Sequence, residues 1–256
     1  MSFFNREILC QNDIDRTLII SFVSFFFHLY LERFTRKYVS NRYNEELKYK
    51  LGSYMPGLVH AIISTSGVIY FISSSEYEIE YRLIRNDLFA YSEYIQNLLS
   101  FSYGFFIYDI FSAVVNNDIV FIIHGVSCTI SASCVLYPFA QSSCIIYLLF
   151  EISTIPYNFC KFLMILGERS NKFYVINQIL FVLIFFIVRI GIGIPHTIGV
   201  MIKIYPMICN YENDIFYKYI LFMTFGFALN LLNIYWANNI IKILISKYRM
   251  SKKNIK

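Results

Sequence analysis

The stretch YVINQILFVLIFFIVRIGIGIPHTIGVMI, residues 174–202, holds a single charged side chain, Arg189, in twenty-nine positions. About 20 consecutive apolar residues suffice for an α-helix to cross the hydrocarbon core of a bilayer, so this stretch makes lipid the solvent of the fold. Outward from it, apolar runs recur at 17–31, 52–72, 94–115, 119–139, 142–166 and 215–244. The expectation is an all-α, polytopic integral membrane helical bundle of six or seven transmembrane helices. Composition points the same way, with 57% hydrophobic and only 15% charged residues, against about 25% charged in soluble domains. Too little polar surface exists to coat a water-facing globule, which excludes a single soluble enzyme domain.

The run at 17–31 is the doubtful one. Its fifteen residues reach about 22 Å at a helical rise of about 1.5 Å, short of a core of about 30 Å. It either crosses with Arg16 and Arg33 snorkelling to the interfaces or lies on the surface. The connections 116–118 and 140–141 leave no room for a folded loop, so the third to fifth runs are expected to form tight helical hairpins.

Basic residues cluster beside the apolar runs, six in 33–50 and six in 242–256. With seven spans, fourteen Lys and Arg fall on the side of the C-terminal tail and five on the other. Cytoplasmic segments are enriched in these residues, so the C-terminus is expected to be cytoplasmic. The acidic stretch Glu76, Glu78, Glu80, Asp87 and Glu93 then faces the lumen. Moving 1–50 wholly to the cytoplasmic side improves the bias, so charge does not choose between six spans and seven. The net charge of +5 is accounted for by this placement, and no nucleic-acid partner is expected. No small-residue cleavage site follows the first apolar run, so no removable signal peptide is expected. The six cysteines, Cys10, Cys128, Cys134, Cys144, Cys160 and Cys209, lack any C-x-x-C spacing, and neither a disulfide framework nor a metal site or cofactor is read from them.

The informative residues are ionisable groups inside the runs: His60, Asp109, His124, Glu151, Lys161, Arg189 and His196. Charged and facing lipid at a helix centre, each would cost about 2.5–3.5 kcal/mol on insertion scales, so they should share a polar interior or a wet cavity. Ser127 and Ser131 follow His124 by three and seven residues, Asn158 follows Glu151 by seven, and His196 follows Arg189 by seven, spacings that place partners on one helical face. Pro195 removes a backbone donor and is expected to disturb its helix. Blander roles stand beside these: a histidine bonded to a neighbouring backbone, a structural Glu151–Arg189 ion pair, local pairing of Asp109, a snorkelling Lys161 and an incidental His28.

No G-x-S-x-G elbow, H-E-x-x-H, P-loop or dinucleotide fingerprint occurs, and four histidines are too few for a membrane di-iron oxidase. An intramembrane histidine with hydroxyl and carboxyl groups nearby suits acyl transfer, with imidazole as base or transient nucleophile.

Three segments, YDIFSAVVNNDIVFIIHGVSCTISA (108–132), LLFEISTIPYNFCKFL (148–163) and FFIVRIGIGIPH (185–196), together resemble the TLC domain, with VHAIIS (59–64) resembling the histidine of the family's early helix. The family is named for translocating-chain-associating membrane proteins, longevity-assurance ceramide synthases and a ceroid-lipofuscinosis protein. The likeness covers about 52–245 and is closer to the small TLC-domain-containing transmembrane proteins than to ceramide synthases. It implies a six-helix TLC core around a lipid-accessible cavity, usually in the endoplasmic reticulum or a related membrane. The chain then divides into an N-terminal segment 1–50, a TLC-like domain 51–245 and a basic tail 246–256. In ceramide synthases a paired histidine motif with downstream aspartates acylates a sphingoid amine from acyl-CoA. Here His124 matches the first histidine, Gly125 takes the place of the second, and Glu151 and Thr154 lie where the two aspartates stand.

Two functions lead. The first is a protein that binds or handles long-chain lipids and contributes to membrane lipid, including sphingolipid, homeostasis, its polar interior formed by His60, Ser127, Asn158, Arg189 and His196. The second is a divergent N-acyltransferase in which His124 acts with Asp109 or Glu151 and acyl-CoA is co-substrate. A transporter with Asp109, Glu151 and Arg189 as relay is more distant, and a seven-helix receptor lacks D-R-Y and N-P-x-x-Y motifs. The sequence leaves the oligomeric state open.

Overall fold

The computed structural model describes residues 3–39, 44–86, 90–133, 139–210 and 216–254. Cys134, Asp87, Arg42 and the last part of the run 119–139 lie outside the described residues. The elements are α1 (Phe3–Tyr38), α2 (Glu45–Ser73), a 3₁₀ turn (Ser75–Tyr77), α3 (Glu78–Asn86), α4 (Glu93–Val115), α5 (Ile119–Ala132), α6 (Gln141–Leu148), a 3₁₀ stretch (Leu149–Ser153), α7 (Thr154–Ile165), α8 (Lys172–Phe185), a π-helical stretch (Phe186–Gly193), α9 (Ile194–Asn210) and α10 (Phe216–Asn254).

Short polar side chains start several of these helices. Asn44 accepts from Leu47 N, Ser92 from Ile95 N, Asp118 from Val120 N and Phe121 N, and Asn171 from Phe173 N, each satisfying an amide that the helix leaves unpaired. Asn117 at φ 52° closes the α4–α5 hairpin, and Gly167 at φ 80° ends the turn after α7, left-handed conformations that Asn and Gly tolerate best.

Among the described residues, six helices are long and apolar enough to cross a membrane: Ile14–Tyr38, Glu45–Ser73, Glu93–Val115, Gln141–Ile165, Lys172–Pro206 and Tyr219–Lys247. The doubtful first run is therefore the core of a 25-residue span; its helix continues past the apolar stretch through Glu32, Arg33 and Arg36. The short member is α5, whose 14 residues extend about 21 Å.

Contacts at the two ends order the passes. Arg16 pairs with Glu93, Tyr94 OH donates to Gly67 O at 3.1 Å, and Gln141 accepts from Ser92 N at 2.8 Å and donates to Gln96 Oε1 at 3.1 Å. The early part of α1, the end of α2 and the starts of α4 and α6 thus meet at one end, which we call the Glu93 end. Since α6 begins where α4 begins, the chain has returned across the bundle between Ile119 and Gln141. Phe139 packs on Tyr219 at 5.0 Å, placing the start of α10 at the same end. At the opposite end Lys247 of α10 reaches Gln178 of α8 at 3.2 Å.

Large apolar side chains such as Phe22, Tyr30, Leu183 and Ile187 lie on the outside, as expected where the solvent is lipid. Inside, Val68, Phe71, Ile95, Phe105, Tyr108, Ile145 and Phe222 form a continuous core. Buried with them are hydroxyl, amide and ionisable groups from several helices.

Candidate polar centre in the bundle

Two departures from regular α-helix face each other in the middle of the bundle, and each carries an ion. The 3₁₀ stretch Leu149–Ser153 holds Glu151, and the π-helical stretch Phe186–Gly193 holds Arg189. Pro195 gives a cause for the second: lacking an N–H, it cannot bond back one regular turn, and the turns before it widen into the π form often found at functional sites. Gly193 lets the two stretches touch, because a Cβ there would lie 2.5 Å from the Phe150 ring.

Arg189 spreads its guanidinium over this junction. Nε donates to Ser153 Oγ at 3.0 Å, Nη2 to Phe150 O at 3.3 Å and Thr154 Oγ1 at 3.2 Å, and Nη1 to Asn233 Oδ1 at 3.4 Å. Its Nη2 is also 3.9 Å from Glu151 Oε1. The other Glu151 oxygen lies 4.0 Å from His60 Nδ1 on α2. A buried charge must be both paired and hydrogen-bonded to persist, and Arg189 meets both conditions.

His60 is completely buried and stacks on Phe105 at 3.8 Å between centroids, with an interplanar angle of 8°. Neither of its ring nitrogens has a hydrogen-bond partner among the described residues. Beside it stands His28 of α1, also completely buried, with ring centroids 6.1 Å apart. His28 Nδ1 lies 2.7 Å from Ser24 O, so that nitrogen carries the proton and Nε2 exposes a lone pair. Nε2 likewise has no hydrogen-bond partner among the described residues. Farther along α1, Glu32 is buried, accepts from Tyr108 OH at 2.8 Å and is paired with Arg36.

Asp109 and His124 border the same centre without bonding to it. Asp109 lies within electrostatic reach of Glu151, and His124 within reach of Arg189. Cys128 feels Glu151, Asp109 and Arg189 together. The His124 ring meets Cys128 Sγ at 3.7 Å and the Trp236 ring at 5.3 Å. Trp236 in turn lies 5.8 Å from the Arg189 guanidinium carbon, so the indole stands between His124 and Arg189.

The remaining sequence candidates disperse. Ser127 and Ser131 are buried on α5, and Ser131 Oγ has no hydrogen-bond partner among the described residues. Asn158 is buried on α7 against Gly57 of α2, with Nδ2 likewise without a partner among the described residues. His196 belongs to another node: its ring packs on Tyr147 at 5.9 Å, and its neighbour Thr197 joins Tyr147 OH at 3.0 Å and Asn230 Nδ2 at 2.7 Å. Lys161 sits over Tyr157 at 5.1 Å and Tyr54 at 5.9 Å. Among the described residues no three His, Cys, Asp or Glu side chains are grouped as a metal ion would require.

Sequence reasoning passed over three participants, His28, Glu32 and Tyr108, and set His28 aside as incidental. A signal was present: Thr17, Ser21, Ser24, His28 and Glu32 recur every three or four residues, the period of one helical face. All five are buried.

The chain is 23% identical over 167 residues to an uncharacterized TLC domain-containing protein of Saccharomyces cerevisiae, a match covering 64% of this chain and 53% of the yeast protein. The chain thus spans about half the length of this curated relative. No solved structure matches. The model of the TLC domain matches residues 55–242, from early α2 to late α10 and so around the whole Glu151–Arg189 junction, and on that match the chain belongs to the TLC domain family.

Proposed function

We propose that this TLC-domain protein binds long-chain lipid against its bundle and contributes to membrane lipid homeostasis, in the endoplasmic reticulum or a related membrane with its C-terminal end cytoplasmic. The observation that carries the reading is a groove of about 580 Å³ between α2, α7 and α8, lined by Met55, Leu58, Phe159, Phe162, Leu163 and Leu166 among others. Its walls offer an acyl chain almost wholly apolar contact, and because a chain in the bilayer is already out of water, its preference for the groove rests on van der Waals packing and shape. Along the same α2, Gly57 meets Asn158 of α7, and His60 approaches Glu151 of the 3₁₀ stretch that precedes α7. An apolar groove beside a few convergent polar groups is the usual form of a ligand site.

Holding lipid is favoured over acyl transfer by the surroundings of His124. Among the described residues no carboxylate bonds its ring, which instead touches a thiol and two aromatic rings, whereas a general base is normally oriented by a third group. The test is mass spectrometry of lipid retained by the purified full-length protein. A defined long-chain lipid enriched over the detergent background is expected, and Leu58→Trp with Leu163→Trp should reduce it by at least about tenfold. A lipid profile matching the detergent background would overturn the reading.

A further inference from the structure

We infer that the groove between α2, α7 and α8 takes an anionic phospholipid, with an acyl chain lying in the groove and the phosphate held at the α7–α8 turn by Arg169 and Lys172. The inference rests on the lipid-holding reading and adds to it the chemistry of the headgroup.

The groove has a direction. Leu166 at the end of α7 and Phe173 at the start of α8 both line it, and the chain between them is the turn that closes one end. Phe159, also in the lining, lies about 10 Å deeper along α7, two helical turns from Leu166. Leu58 of α2 shares that depth, because Gly57 and Asn158, the residues just before Leu58 and Phe159, meet. The inner end is therefore apolar, and the turn is the end that reaches the membrane surface.

The walls give a headgroup nothing to bind. Asn177 is the one polar side chain in the lining, and its Nδ2 is committed to Phe173 O at 2.8 Å. A phosphate drawn between the walls would lose its hydration without replacement, so the head belongs at the turn with the chain pointing inward.

That turn is cationic. Glu168, Arg169 and Lys172 are all exposed there, two cations against one carboxylate. Neither Arg169 nor Lys172 forms an ion pair among the described residues. On α2, the third wall, the charges of the first turns neutralise one another, with Lys48 at 3.1 Å from Glu45 and Lys50 paired with Glu46. Helix α8 begins at Lys172 behind its Asn171 cap, which brings the positive end of its dipole to the same place.

Charge then selects the class of lipid. A phosphodiester with no charge of its own to balance it gains from both cations, and the planar fork of Arg169 suits its paired oxygens. Phosphatidylcholine brings a trimethylammonium group as a further cation and gains less. Basic pockets between spans are a known form of anionic headgroup site. In the proposed orientation the turn is cytoplasmic, facing the leaflet where anionic lipids concentrate.

The experiment equilibrates full-length protein in detergent with equal amounts of phosphatidylglycerol and phosphatidylcholine of identical acyl chains, and reads the bound ratio by native mass spectrometry. One basic residue near an anionic headgroup strengthens binding about fivefold, so the wild type should favour phosphatidylglycerol by about 25-fold. Arg169→Gln and Lys172→Gln should each cut the ratio about fivefold, and the double variant should bring it near one while phosphatidylcholine takes the groove instead. Glu168→Gln should raise the ratio. Lys203→Gln removes an exposed cation on α9, which forms no wall of the groove, and should leave the ratio unchanged. Leu58→Trp with Leu163→Trp should reduce both lipids together. Bound lipid with a ratio of one in the wild type would overturn the headgroup assignment and leave the lipid-holding reading standing. So would a ratio lowered as far by Lys203→Gln as by Arg169→Gln. Absence of any bound lipid would overturn both.

Discussion

Gly125 faces α4 so closely that a Cβ there would lie 2.8 Å from Ile110 Cγ1 and 3.3 Å from its backbone nitrogen. The resemblance to ceramide synthases puts the second histidine of the paired motif at this position, and the contact gives a physical reason for its absence: an imidazole would wedge α5 away from the segment carrying Asp109. Overpacking of this kind typically costs about 1–3 kcal/mol. Gly125→His is expected to lower the unfolding temperature in detergent measurably, and a variant as stable as the wild type would show that α4 and α5 do not approach this closely. Arg189 poses the complementary case, since four hydrogen-bond acceptors converge on its planar fork. Lysine keeps the charge but not the fork, so Arg189→Lys should be strongly destabilising. Removing one member of a buried pair costs about 3–5 kcal/mol, and replacing both with apolar residues, Arg189→Met with Glu151→Leu, should recover part of the loss. Denaturant or thermal unfolding of the wild type, Arg189→Met, Glu151→Leu and the double variant measures this directly, and additive losses would show that the two residues act independently.

Among the elements, α1 shows best what a sequence displays and what it conceals. Its apolar run stops at Leu31, so hydropathy ended the span there and assigned Glu32 and Arg36 to a loop. The helix nevertheless continues to Tyr38, because Tyr108 and Arg36 satisfy the Glu32 carboxylate, and those partners are remote in sequence or separated by a turn. The convergence of His60, Glu151 and Arg189 was legible from the high cost of ions in lipid, and helical spacing sets Cys128 on the face of His124; the approach of Trp236 to His124 was not legible, since hydropathy carries no information about which helices a face meets. The π-helical stretch was foreshadowed by Pro195, though a kink and a widened turn look alike in sequence. The seating of α1 depends on Gly104, where a Cβ would collide with the Ser21 carbonyl and come within 2.7 Å of Ser24 Cβ. Gly104→Val should therefore pry α1 from α4 and lower the unfolding temperature by several degrees, whereas Gly199→Val, with nothing within 4 Å of its Cβ position, should leave it nearly unchanged. Equal effects would mean that α1 is not held at this contact.

For the molecule as a whole, the order of passes is a statement about which loops share a side. Asn44 precedes α2, Asn117 lies in the α4–α5 turn and Glu168 between α7 and α8, and the helix directions put all three at the end carrying the basic tail. Ser75, after α2, lies at the Glu93 end. This arrangement requires both uncertain segments to carry the chain across: α1, short by hydropathy but long by structure, and the stretch from Ile119 to Gln141, whose described helix is short. The excess of basic residues is the ground for the proposed orientation, in which the Asn117 end is cytoplasmic by the rule that governs short loops. In a version with the native cysteines replaced, Asn44→Cys, Asn117→Cys and Glu168→Cys are expected to react with a membrane-impermeant maleimide applied to intact microsomes, while Ser75→Cys reacts only after detergent. Were the segment from Ile119 to Gln141 to turn back without crossing, Glu168→Cys would move to the protected side while Asn44→Cys and Asn117→Cys stayed accessible.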